Sequence, residues 1–198
     1  MHLLQLAHLS EHPLTKMAII HYQFESIHPY YDGNGRTGRI LNLLYLIKEG
    51  LLSIPVLYIS RYIIRHRGRY YELLRKVREE EDWEAWILYM LDAVEKTAIQ
   101  TIKTIKGIHE LMQTYKRRIR EEQPKLYSQD LLNNLFRHPY TKISWLQKDL
   151  RVSRLTAAKY LETLTEIQLL EKIKKGRSNY YLNPALLVLL AGEKETLG

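Results

Sequence analysis

The chain has 198 residues, of which 45% are hydrophobic and 26% charged, with a formal net charge of +8 and no cysteine. That composition supports a packed core, excludes disulfides and thiol catalysis, and points to polyanionic partners such as nucleotides, nucleic acid or an acidic protein. No apolar run reaches membrane-spanning length and no signal-peptide pattern opens the chain, so the expected location is the cytoplasm, with no membrane contact.

Residues 1–12 carry an apolar helical stripe, Leu3, Leu4, Leu6 and Leu9, and read as the end of a longer helical region. His8, Glu11 and His12 spell a zinc-peptidase pattern there, but Pro13 disfavours helix at His12 and no acid stands as a third ligand. Leu14, Met17, Ala18, His21, Phe24 and His28 then recur at three- and four-residue steps, predicting a helix in which His21 is a packed core histidine. A second helix is expected through Ile40, Leu43, Leu44 and Ile47, which repeat the spacing of one helical face, with Gly50 as its stop.

Between the two helices runs His28-Pro29-Tyr30-Tyr31-Asp32-Gly33-Asn34-Gly35-Arg36-Thr37-Gly38-Arg39. A turn here presents backbone N–H groups at a helix N-terminus, which attracts phosphate. Gly33 and Gly35 suit positive φ and close approach of an anion. Arg36 and Arg39 can fork neighbouring phosphates, Asp32 can hold a hard divalent cation, and His28 is a candidate general base.

This stretch resembles the Fic family signature, His-x-Phe-x-(Asp/Glu)-Gly-Asn-Gly-Arg-x-x-Arg, with Tyr30 in place of Phe as the single departure. The resemblance extends from about Pro13 to about Leu187 and implies transfer of AMP from ATP, with Mg²⁺, to a Ser, Thr or Tyr hydroxyl of a target protein. It implies that His28 deprotonates that hydroxyl and that Asp32 holds Mg²⁺. Gly33, Asn34, Gly35, Arg36, Thr37, Gly38 and Arg39 would cradle the triphosphate, and Tyr70 and Tyr71 would line the adenine end, with Arg78 as a point of difference. The related toxin-kinase branch has Lys for the second Gly and lacks the last Arg, so Gly35 and Arg39 favour nucleotidyl transfer. The same residues could run the reaction backwards and remove AMP. Similar proteins carry upstream helices, a β-hairpin flap and an inhibitory helix, and against that pattern the core reads as N-terminally truncated or short.

Ser60 is expected to cap a basic, tyrosine-bearing helix from Arg61 to about Glu80, and Asp82 a long helix running to about Glu122, soft only at Gly107. Forty helical residues would reach about 60 Å. Pro124 marks a boundary. Beyond it, Leu131 to Phe136, Ile143 to Leu150, and a Ser153-capped segment predict three short helices. The third is expected to bury Leu155, Ala158, Leu161, Leu164 and Ile167. Leu169 to Ile173 and Asn179 to Leu182 alternate around a basic turn, predicting a hairpin. That order reads as a winged helix. Arg151, Arg154, Lys159, Lys174, Lys175 and Arg177 are its candidate DNA contacts, so a DNA-binding regulator with a nucleotide-sensing core is the competing reading. The expected architecture is therefore all-α with a small β-hairpin: a core domain over 1–122 joined by a long helix to a winged-helix module over 125–190, with a tail at 191–198 and homodimerisation open.

Overall fold

In a computed structural model, residues 11–176 and 178–192 are described. The stripe at Leu3 to Leu9, His8 and Arg177 lie outside them. The chain separates into two compact units, Met1–Ile102 and Lys103–Gly198.

The first unit begins with α1 (Pro13–Ile27) and α2 (Asn34–Lys48), followed by α3 (Ser60–Arg65), α4 (Arg67–Glu80) and the first part of α5 (Trp83–Glu122). Pro13 enters α1 where a missing N–H costs nothing, and the His12 ring accepts from Leu14 N at 3.2 Å. The Asp82 carboxylate accepts from Ala85 N at 3.2 Å, the expected cap of α5. The core gathers on Trp86, which is fully buried among Met17, Leu46, Tyr70, Leu73 and Met90. Its indole N–H donates to the Ala18 carbonyl at 2.9 Å, which satisfies its one polar atom.

In two respects this unit differs from what the sequence suggests. Ile40 and Leu44 are each 56% exposed, while α2 turns Asn34, Gly38, Asn42 and Leu46 inward. The reason is close helix packing: a Cβ on Gly38 would lie 3.1 Å from Phe24 Cδ1 and 3.2 Å from His21 Cε1. Only a residue without a side chain lets α1 approach there, and that contact sets which face of α2 is buried. The stretch from Arg61 to Glu80 is also two helices rather than one. The chain breaks at His66 (φ −111°, ψ 34°), whose ring Nδ1–H donates to the Tyr62 carbonyl at 2.9 Å. Such a side-chain bond competes with the helical ladder, and Gly68 weakens the following turn. Ser60 is the first residue of α3 instead of its cap, and its hydroxyl is used elsewhere.

The second unit holds the remainder of α5, then α6 (Gln129–Arg137), β1 (Tyr140–Thr141), α7 (Ile143–Leu150), α8 (Arg154–Glu166), β2 (Glu171–Lys175), β3 (Ser178–Leu182) and α9 (Pro184–Ala191). Ser128 and Ser153 cap α6 and α8, each hydroxyl accepting from an N–H three residues on at 3.1 Å. The strands form one antiparallel sheet in the order β1-β3-β2. Registers such as Lys172↔Tyr181 and Tyr140↔Leu182 turn Tyr181 into the core. Tyr181 OH and Lys172 Nζ both donate to Glu162 Oε1, at 2.7 and 2.6 Å, and tie the sheet to α8.

The three helices and the hairpin stand in the expected order. Within α8 the buried residues are Ala157, Leu161 and Leu164, and Leu155 is 82% exposed, correcting its assignment to the core. The helix starts at Arg154, so the inward stripe runs 157, 161, 164, and Leu155 falls on the far side. Neither β1 nor α9 was legible beforehand. The first is two residues long, and the second, Pro184–Ala191, follows the expected hairpin where no element was read. Asn183 caps α9, its Oδ1 accepting from Leu186 N at 3.0 Å, while Tyr115 OH donates to that same oxygen at 2.7 Å. Leu189 then lies over Gly107, where a Cβ would sit 2.7 Å from its Cδ1. The glycine that looked like a weak point in α5 is the seat for α9.

Candidate functional site

The end of α1 and the start of α2 bring most of the predicted residues together. His28 terminates α1 in the left-handed region (φ 49°, ψ 57°), its N–H bonded to the Phe24 carbonyl at 3.0 Å. Histidine tolerates that region better than most side chains, and the turn leaves the imidazole exposed at the mouth of the loop. The loop is closed from below by Asn34, which is 3% exposed. Its Nδ2 donates to the Tyr30 carbonyl at 2.6 Å and its Oδ1 accepts from Tyr30 N at 2.9 Å. The same Nδ2 lies 3.2 Å from His28 Nδ1, so one buried amide sets both the loop and the ring beside it.

Gly33 caps α2 with φ 87°, a conformation that favours glycine. Gly35 is different: its backbone is helical, which corrects the expectation of positive φ there. What requires glycine at 35 is space. A Cβ would lie 3.0 Å from Arg39 Nη1 and 3.9 Å from Glu25 Oε1, so glycine is what lets the Arg39 guanidinium lie against the first turn. Asn34, Gly35 and Arg36 have no helical carbonyl one turn behind them, so their N–H groups and the helix dipole are directed out of the first turn. Thr37 is committed to the turn, its N–H and Oγ1 both bonding the Gly33 carbonyl, at 2.9 and 3.1 Å. Gly38 is buried against α1 and serves packing.

The two arginines have separate settings. Arg36 is exposed and its Nη2 donates to Asp32 Oδ2 at 3.1 Å, a surface pair worth little and easily exchanged for phosphate. Arg39 is half-buried, with Nε donating to Ser60 Oγ at 2.8 Å, so the side chain is held at a fixed place beside Gly35. Asp32 Oδ1 accepts from Gly33 N at 2.6 Å. Among the described residues there is no cluster of three or more His, Cys, Asp or Glu side chains suited to a metal. The protein therefore offers a single exposed carboxylate, which fits a magnesium ion that takes its other ligands from phosphate and water.

Of the tyrosine pair, Tyr71 is 54% exposed, beneath the Arg67 guanidinium at 5.5 Å. Tyr70 is 4% exposed and turns into the core, with its hydroxyl 3.0 Å from His21 Nε2. His21 is the packed histidine the sequence suggested. Burial drives its pKa down to about 4, so the ring is neutral at pH 7, with Asn42 Nδ2 donating to its Nδ1 at 3.1 Å.

One residue of this site escaped the sequence reading. Glu25 stands one turn before His28 on α1, and its Oε1 is buried without a hydrogen-bond partner against Gly38 and Gly35. Burial raises its pKa, and the nearby charges of Arg39 and His28 work against that rise. The available signal was its spacing of three from His28, which puts both on the face turned to α2.

The Arg151, Arg154 and Lys159 side chains are exposed around α8, and Lys174 and Lys175 are exposed on β2. None is near the His28 loop in sequence or in its unit.

Comparison with known proteins gives two family matches. The Fic/DOC family model matches residues 2–46, and the C-terminal domain of the protein adenylyltransferase SoFic-like family matches residues 111–186. Proteins described as "Protein adenylyltransferase Fic" from Drosophila ananassae and Aedes aegypti are each 36% identical to this chain, over 88 and 86 residues. Those segments are 44% and 43% of this chain and 16% of each relative, so the chain matches about one sixth of the relatives' length. A crystal structure of a Fic family protein from Desulfovibrio desulfuricans G20 is 25% identical, with a TM-score of 0.49, covering 91% of this chain and 52% of that one.

Proposed function

From the Fic/DOC match over residues 2–46 and the SoFic-like C-terminal match over residues 111–186, we propose that the chain transfers AMP from ATP to a hydroxyl side chain of a protein target in the cytoplasm. The observation that carries this reading is the first turn of α2 around Gly35. It joins free helix N-terminal amides, the seated Arg39 guanidinium and an exposed imidazole within one loop. A triphosphate would meet the amides of Asn34 to Arg36 and the Arg36 and Arg39 side chains, which stabilise charge on its oxygens. His28 would take the proton from the target hydroxyl as that oxygen attacks the α-phosphorus, with pyrophosphate leaving. Asn34 would keep the ring in place through its Nδ2 contact. Tyr71, exposed on α4, is the better placed of the two tyrosines for the adenine end. Mg²⁺, when bound through Asp32, would neutralise phosphate charge.

The test is transfer of label from ATP. With α-labelled ATP and Mg²⁺, protein-bound label is expected, and with γ-labelled ATP none. Replacing His28 by Ala should lower transfer by about a hundred- to ten-thousandfold while ATP affinity stays within a few fold. Transfer at the wild-type rate by that variant would overturn the assignment of the base.

A second reading concerns Lys103–Gly198. Helices α6 to α8 with the β2–β3 hairpin support a winged helix. Leu155, 82% exposed on α8 between the exposed Arg154 and Lys159, supports a face that meets a partner. On this reading the module binds duplex DNA through Arg151, Arg154, Lys159, Lys174 and Lys175. Replacing Lys174 and Lys175 with Ala should then flatten the dependence of log affinity on log salt by about one unit per lost phosphate contact. Unchanged slope and affinity would remove it.

A further inference from the structure

A cleft of about 380 Å³ lies between α3, the start of α4 and α5, within the first unit and on the side of α4 opposite Tyr71. Nothing in the transfer chemistry uses it. Leu73 and Ala85 supply apolar lining, and Leu88, 57% exposed, stands at its open edge. The Tyr62 ring is flanked by the His66 ring at 4.2 Å and the Tyr89 ring at 5.5 Å.

The polar groups of this cleft are unevenly committed. Tyr62 OH donates to Asp92 Oδ2 at 2.5 Å, so its proton is spent and its oxygen can only accept. His66 spends its Nδ1–H on the Tyr62 carbonyl, which leaves Nε2 with a lone pair in the neutral ring. The other Asp92 oxygen has Lys96 only at 3.7 Å, and Lys96 is 62% exposed, so that pair yields readily. Arg69, the one Arg or Lys among the described lining residues, pairs with Glu72 at 2.9 Å on the exposed side of α4. Tyr89 is 8% exposed, yet its buried hydroxyl has no hydrogen-bond partner. Such groups are uncommon in folded proteins, and Tyr89 is among the residues that line the cleft. Burial pushes the Tyr89 phenol up to about 12, so it remains neutral.

What is left unspent is a carboxylate oxygen, phenol and imidazole acceptors, and aromatic faces, which together suit a donor-only cation. We propose that this cleft binds a small primary alkylammonium, its nitrogen donating to Asp92 beside the Tyr62 ring, its chain lying on Ala85 and Leu88.

The probe is n-butylammonium, titrated into the full chain and followed by amide chemical shifts, with 1-butanol and butanoate as isosteric controls. Saturable shifts confined to residues 62–92 are expected, with a dissociation constant on the order of 1 mM for so few atoms. Both controls should bind at least tenfold more weakly. Asp92→Asn should cost at least tenfold in affinity. Leu88→Arg, at an exposed position that keeps the fold, should abolish binding by placing a rival cation at the open edge, and it decides the matter if Asp92→Asn does not fold. The amide-capped lysine Nα-acetyl-lysine methylamide binding better than n-butylammonium identifies a protein side chain as the source, and weaker binding a free amine. No saturable shift at tens of millimolar probe, equal binding of 1-butanol, or wild-type affinity in Leu88→Arg would overturn the proposal.

Discussion

The buried histidine His21 makes the first unit acid-sensitive by a calculable amount. Its pKa is about 4 in the folded protein and 6.5 in an unfolded chain, so between those values the unfolded state binds more protons. Stability is therefore whole above about pH 6.5, falls as pH drops, and levels off below about pH 4. At pH 5 an unfolded His21 is almost fully protonated and the folded one about a tenth protonated. The resulting loss between pH 7.5 and pH 5 is about 2 kcal/mol. Because His21 is 1% exposed, solvent screening does little to reduce it. The assay is urea unfolding followed by tryptophan fluorescence in a Trp145→Phe background, which leaves Trp83 and Trp86, both in the first unit, as reporters. His21→Leu is the reference. It leaves the Tyr70 hydroxyl and Asn42 amide without their ring partners and should cost about 1–3 kcal/mol at either pH, but it cannot titrate. The wild type should lose about 2 kcal/mol more than this variant between the two pH values. Equal losses in both proteins would show that His21 is not held neutral by burial.

Other perturbations follow from the same packing. Gly38→Ala should destabilise the first unit by about 1–3 kcal/mol despite the better helix propensity of Ala, because Phe24 and His21 block its Cβ; unfolding midpoints in urea check this. Asn34→Ala removes the clamp on Tyr30 and should cost about 1–3 kcal/mol together with most AMP transfer, measured by melting and by label incorporation. Arg39→Ala should weaken ATP but not AMP in calorimetric titrations, since its guanidinium lies against the first turn of α2 at Gly35. Glu25→Gln should raise the melting temperature at pH 8 and have less effect at pH 4.5. The wild-type carboxyl has a raised pKa, so the folded protein loses stability as pH rises and the group ionises.

The sequence by itself determined the parts whose physics is local. The Asp82 and Ser153 caps, the proline at 13 and the Gly33 turn are decided within a few residues, as are the three- and four-residue apolar steps. The candidate site was legible for the same reason, because His28, Asp32, Gly33, Asn34, Arg36 and Arg39 occupy one loop and one helical turn. Only the tertiary structure decided what depends on the partner across the interface. A row of Ile40 and Leu44 looks like a core face, yet the close approach allowed by Gly38 gives the core to Asn34, Asn42 and Leu46 instead. Glu25 became a site residue only when α1 was laid beside α2, and Gly107 acquired its purpose only when Leu189 was placed on it. Periodicity identifies that a helix has an apolar side. Which side is buried depends on the distance at which its neighbour can pack, and a glycine sets that distance from two helices at once.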